Sequence, residues 1–67
     1  MIVLTQLRKA QGWSQFELGR RASVHPSVVS QIEAGILRPK GDSRTLARLA
    51  GAIGWTGATE RLLEEVQ

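Results

Sequence analysis

The chain has no cysteine and no tyrosine, and only one phenylalanine and one histidine in 67 residues. Without cysteine, neither a disulfide nor a thiolate metal site can brace the fold, a composition that fits a reducing cytoplasm. One histidine among scattered carboxylates is too few ligands for a metal centre. No Ser/His/Asp spacing supports nucleophilic catalysis. Gly51, Gly54 and Gly57 follow no strand and lie at a helix end, so they are not a nucleotide-binding fingerprint. No apolar run approaches the roughly 20 residues that span a bilayer. The opening MIVLTQLRK places its charge after its apolar residues, the reverse of a secretory signal. Internal repeats and low-complexity segments are also missing. The expectation is therefore a non-enzymatic chain with no cofactor, no metal, no membrane contact and no small-molecule ligand.

What is present is charge, unevenly placed. Residues 1–48 carry eight basic side chains against three acidic ones (Glu17, Glu33, Asp42); residues 49–67 carry Arg61 against Glu60, Glu64 and Glu65. A positive field over the first two thirds suits a polyanionic partner, although a solvated basic surface has the same composition. The length allows one small domain, 1–67, whose thin core supplies only about 3–5 kcal/mol.

The most informative stretch is 14–35, SQFELGRRASVHPSVVSQIEAG. Ser14 with Glu17 three residues on is a capping-box signature. Leu18 and Ala22 then share one helical face. Pro26 disfavours helix at His25 and suits the first position of a new helix. Val29 and Ile32 repeat at helical spacing, and Gly35 supplies a left-handed stop. Two short helices joined by three or four residues form a helix-turn-helix unit.

The flanks read as helices too. Met1 to about Gln11 forms a first helix with Leu4, Leu7 and Ala10 or Gln11 along its stripe, ended by Gly12. Trp13 reads as a hydrophobic staple against Leu18 rather than a base-stacking ring. Pro39 and Gly41 punctuate the connection after Gly35. Asp42 or Ser43 caps a fourth helix whose stripe is Leu46, Leu49, Ala50 and Ile53, stopped by Gly54. A fifth helix is expected over roughly Ala58 to Val66. The fold class is all-α, a compact bundle of five short helices.

The 14–35 stretch resembles the helix-turn-helix of the lambda-repressor/Cro-like (XRE-type) family of bacterial and phage DNA-binding proteins. The likeness rests on Ser14-Gln15 after apolar Trp13, Leu18, small Gly19, Val24, Val29, Ile32 and the Ile-Glu-x-Gly ending of Ile32, Glu33 and Gly35. It extends more weakly over nearly the whole chain. Two positions depart from it: Ser23 stands where the family has Gly in the turn, and Gly19 where it has Ala. A left-handed Ser costs about 1–2 kcal/mol relative to Gly, and Gly19 gives up about 1 kcal/mol of helix propensity for close contact.

The resemblance implies sequence-specific binding of double-stranded DNA by a small transcriptional regulator, a repressor, in the cytoplasm at the nucleoid. It pairs Arg8 with Glu33, a structural role with a secondary phosphate contact from Arg8. It places Gln15 on a phosphate and the third helix in the major groove. Pro26, Ser27, Val28, Ser30 and Gln31 then face the duplex: Gln31 bidentate to adenine, Ser27 to base or phosphate, Val28 or Pro26 to a thymine methyl. Arg38 and Lys40 are phosphate clamps. His25 is a turn residue beside the N-cap. A homodimer is expected, with Trp55, Leu62, Leu63 and Val66 as its interface or, equally, as completion of the monomer core. The alternative is an antitoxin or adaptor whose main partner is another protein.

Overall fold

In the computed structural model, which describes residues 1–40 and 43–66, four α-helices follow one another: α1 (Val3–Ala10), α2 (Gln15–Ala22), α3 (Pro26–Glu33) and α4 (Arg44–Ile53). A short 3-10 helix, Thr59–Leu63, comes last. Each start has a local cause. The Ser14 hydroxyl accepts from Glu17 N at 3.0 Å and opens α2. Ser43 accepts from Thr45 N at 3.1 Å and opens α4; Asp42, the other cap expected there, lies outside the described residues, as does Gly41. Pro26 occupies the first turn of α3 behind His25, its N-cap. The capping box is one-sided: the Glu17 carboxylate turns to Arg20 and Arg21 along its own helix.

The stripes meet in one core. Leu4, Leu18, Val29, Ile32, Leu46, Leu49 and Leu62 are almost fully buried, with Ile2, Ala22 and Ala50 beside them. Helix α2 packs on α3 and α4, and the 3-10 helix closes the core against α1 and α4. The buried stripe of α1 differs from the expected one. Ala10 and Gln11 are exposed, and Thr5 and Arg8 are buried with Leu4. The helix is rotated so that Arg8 reaches Glu33 on α3.

The fifth element also departs from expectation. In place of an α-helix over Ala58–Val66 there is a five-residue 3-10 helix, and the chain beyond it is extended. Val3 N donates to Glu64 O at 2.8 Å and Val66 N donates to Met1 O at 2.9 Å, with Ile2 opposite Glu65. Backbone groups that a longer helix would have satisfied locally are satisfied instead by the start of α1.

The turn between α2 and α3 fixes their angle. Ser23 takes the left-handed conformation, φ 58°, ψ 41°, the sole non-glycine with positive φ among the described residues. Gly19 lies under this turn. A Cβ there would stand 2.5 Å from Val24 O and 3.2 Å from Pro26 N. Its close neighbours are thus the backbone of the turn and the first residue of α3, the close contact expected at this position. The Val24 N–H closes the same corner on Gly19 O at 2.8 Å.

Candidate nucleic-acid interface

Helix α3 divides its residues by depth. Val29 and Ile32 are buried, and Ser27, Ser30 and Gln31 project outward. Pro26 and Val28 are half-buried; Pro26 lies over Gly19, and Val28 packs against the core. Five expected contacts on one helix therefore resolve into three exposed polar side chains and two apolar ones held partly inside. The Gln31 carbonyl accepts from Ile36 N and Leu37 N at 2.9 and 3.1 Å. Those bonds cap the helix end and hold the backbone beneath the Gln31 side chain.

The first turn of α3 is closed by a histidine. His25 Nδ1 lies 3.1 Å from Ser27 N, which donates to it, and 2.8 Å from Ser27 Oγ. Sequence reasoning placed His25 in the turn beside the cap; it is the cap.

Arg8, Gln15 and Glu33 form one cluster at the junction of α1, α2 and α3. Arg8 Nε and Nη2 donate to the two Glu33 carboxylate oxygens at 2.7 and 3.0 Å, and Nη1 donates to Trp13 O at 2.7 Å. The side chains of the pair are only 10% and 6% exposed. Arg8 is thus engaged within the protein, its guanidinium shared between Glu33 and the Trp13 carbonyl. Gln15 Nε2 donates to Glu33 at 2.9 Å, leaving one N–H and its carbonyl oxygen unengaged among the described residues. An open cleft of about 390 Å³ lies against this cluster, bordered by Lys9 of α1, Gln15 of α2 and Ser30 of α3 among others. Lys9 escaped the sequence reading; its signal is the Arg8-Lys9 doublet, with one cation turned in and the next turned out.

The cations fall into two groups. Arg20 and Arg21 both hold Glu17, and Arg61 holds Glu64 at 3.1 Å. Hydrogen bonding from Arg20, helped by its charge and by Arg21, keeps the Glu17 carboxyl below the usual glutamate range against the opposing effect of desolvation. Arg21 also lies over Trp13, 4.4 Å from the ring centroid, while the indole packs against the core. That arrangement supports the packing role read for Trp13. Lys9, Arg38, Lys40, Arg44 and Arg48 are exposed and have no carboxylate partner among the described residues.

At the far end, Leu62 is fully buried in the core, the second of the two placements expected for it. Leu63, Val66 and Trp55 are half-buried, and the Trp55 indole N–H donates to Ala58 O at 3.0 Å. Three-ligand groups suited to a metal ion are absent among the described residues. Among the described residues no helix is long and apolar enough to cross a membrane.

A family described as a helix-turn-helix domain matches residues 2–63. Neither a curated protein nor a solved structure gives a significant match. With the family's span covering α1 through the 3-10 helix, and with the α2–turn–α3 geometry above, the chain belongs to the helix-turn-helix domain family, consistent with its XRE-type branch.

Proposed function

We propose that the protein binds double-stranded DNA sequence-specifically and acts as a transcriptional repressor, with α3 in the major groove. The observation that carries this reading is the exposed row Ser27, Ser30 and Gln31 on a helix whose opposite face is locked into the core. Such a helix holds polar side chains at fixed positions along a groove. The family match supports the DNA partner, and Lys9, Arg38, Lys40, Arg44 and Arg48 supply positive charge for phosphates.

In this reading Gln31 reads a base edge, and Gln15 offers its remaining N–H to a phosphate. Lys9 strengthens that contact from across the cleft. Arg38 and Lys40 grip the backbone without regard to sequence. Pro26 and Val28 shape the leading end of α3, where their remaining exposed atoms meet a thymine methyl. Two copies bind half-sites roughly 34–36 Å apart, meeting through Trp55, Leu63 and Val66. Repression follows from occupancy of a promoter.

Selection of bound fragments from a random duplex pool tests this function. The expected result is a recovered site bound on the order of 10³-fold or more tightly than a scrambled duplex at physiological salt. A protein-interaction module on the same fold, an antitoxin or adaptor, gives no enriched site unless its protein partner is present.

A further inference from the structure

We propose that His25 sets the hydrogen-bonding polarity of Ser27. Ser27 then meets the duplex as an acceptor and selects a base carrying an exocyclic amino group. The proposal rests on the DNA-binding reading above and makes one contact of that reading specific. His25 is a positioning residue here; it touches Ser27 and no base.

The argument begins with a backbone N–H. Ser27 N lies 3.1 Å from His25 Nδ1, and an amide nitrogen has only a proton to give. Nδ1 therefore presents a lone pair, which places the ring proton on Nε2. Ser27 Oγ lies 2.8 Å from the same lone pair. With Nδ1 already accepting from the amide, the hydroxyl donates to the same lone pair in a shared, three-centre arrangement. Serine has one O–H proton, so this bond uses the only donor the side chain owns. Two oxygen lone pairs remain for an outside partner, on an exposed residue in the first turn of α3.

Lone pairs discriminate among bases. In the major groove adenine N6 and cytosine N4 donate, while guanine O6 and N7 and thymine O4 accept. Ser27 therefore matches adenine or cytosine and repels guanine or thymine at the base it faces. Phosphate oxygens also only accept, so the same bond turns Ser27 away from a backbone contact. Ser30 provides the contrast within one helix. Its hydroxyl has no hydrogen-bond partner among the described residues and turns to donate or accept as required.

The test is selection from a random duplex pool with the full chain, its Ser27→Ala variant, and two changes at His25. Ser27→Ala identifies the base pair that Ser27 reads, as the one whose preference disappears. At that pair, replacing the amino-bearing base by its analogue without the amino group, purine for adenine or 2-pyrimidinone for cytosine, should weaken the parent by about tenfold, the lower part of the range for one mismatched pair. His25→Gly keeps an acceptable N-cap but frees the Ser27 hydroxyl, so the preference should relax at that pair alone. His25→Asn places an amide oxygen near the position of Nδ1 and should retain the parent's preference. Nitrogen chemical shifts of the imidazole in the free protein give a readout independent of variant folding, and the Nε2–H tautomer is expected.

A protonated Nδ1 in the free protein overturns the proposal. So does a parent that binds the amino-free analogue equally well, a Ser27→Ala variant that changes no position, or an unchanged preference in His25→Gly. If the parent enriches no sequence at all, the DNA-binding reading itself fails and takes this proposal with it. If the parent enriches a site and only the His25 outcome fails, the DNA-binding reading stands.

Discussion

Gly19 and Val24 meet so closely that a methyl group on Gly19 would stand 2.5 Å from the Val24 carbonyl oxygen. That oxygen belongs to the backbone, so it cannot swing aside as a side-chain tip would. Alanine is the better helix former by about 1 kcal/mol, yet overpacking against fixed atoms costs typically 1–3 kcal/mol. Gly19→Ala is expected to lower stability by about 1 kcal/mol, which corresponds to a Tm lower by about 4–8 °C for a domain of this size. Thermal unfolding by circular dichroism measures it. A raised Tm would mean that the α2–α3 turn relaxes freely, and its rigidity would have to be given up.

Ser23 carries the complementary prediction. At φ 58° it pays a steric penalty that glycine avoids, about 1–2 kcal/mol, offset by about 0.5–1 kcal/mol for the extra freedom of glycine in the unfolded chain. Ser23→Gly should therefore stabilise the protein by roughly 0.5–1 kcal/mol. The Arg48 contact at 3.4 Å is to the Ser23 carbonyl and survives the change. Chemical denaturation of the two proteins side by side would expose a neutral or harmful effect, and either would rule out strain at this turn.

The caps at Ser14 and Ser43, the left-handed stops at Gly35 and Gly54, and the apolar stripes of α2, α3 and α4 were all legible in the sequence. Each is a local feature, governed by neighbours within one or two turns. The last element was not legible. Leu62, Leu63 and Val66 have helical spacing, but Glu64–Val66 pairs with Met1–Val3, a contact between opposite ends of the chain that no local pattern encodes. The Arg8–Glu33 pair spans 25 residues and was accessible only through the family resemblance. The bond from Ser27 to His25 was hidden because histidine is not among the usual N-cap residues.

The Arg8–Glu33 pair should matter more when broken than when replaced. Arg8→Met leaves the Glu33 carboxylate in a site 6% exposed with only Gln15 still donating to it. Breaking a buried pair in this way costs about 3–5 kcal/mol, comparable to the whole margin of a domain this small, about 3–5 kcal/mol. The single variant should be largely unfolded near room temperature. Arg8→Met with Glu33→Leu removes both charges and should recover much of the loss. Equal instability of the single and double variants in denaturant titrations would argue for a specific structural need for the ion pair.

Glu17 gives a pH signature. Its folded carboxyl is held below the unfolded value, chiefly by the hydrogen bond from Arg20. The stabilisation is present above the unfolded glutamate range and is lost as pH falls through the lower, folded value. Carboxyl titration by NMR should show Glu17 with the depressed midpoint, and Arg20→Ala should move it upward. A midpoint that ignores Arg20→Ala would mean the surface pair is not formed in solution.

The central claim is that α3 reads bases while the loop after it only grips phosphates, and one set of titrations tests it. Binding of the parent, Gln31→Ala and Arg38→Ala is measured on the selected duplex and on a scrambled one, at several salt concentrations. Gln31→Ala should lose about 1–3 kcal/mol on the selected duplex and almost nothing on the scrambled one. Arg38→Ala should weaken both alike and reduce the salt slope by about one unit per site. Equal weakening of both duplexes by Gln31→Ala would contradict the claim, because a residue that reads a base cannot matter equally where that base is missing.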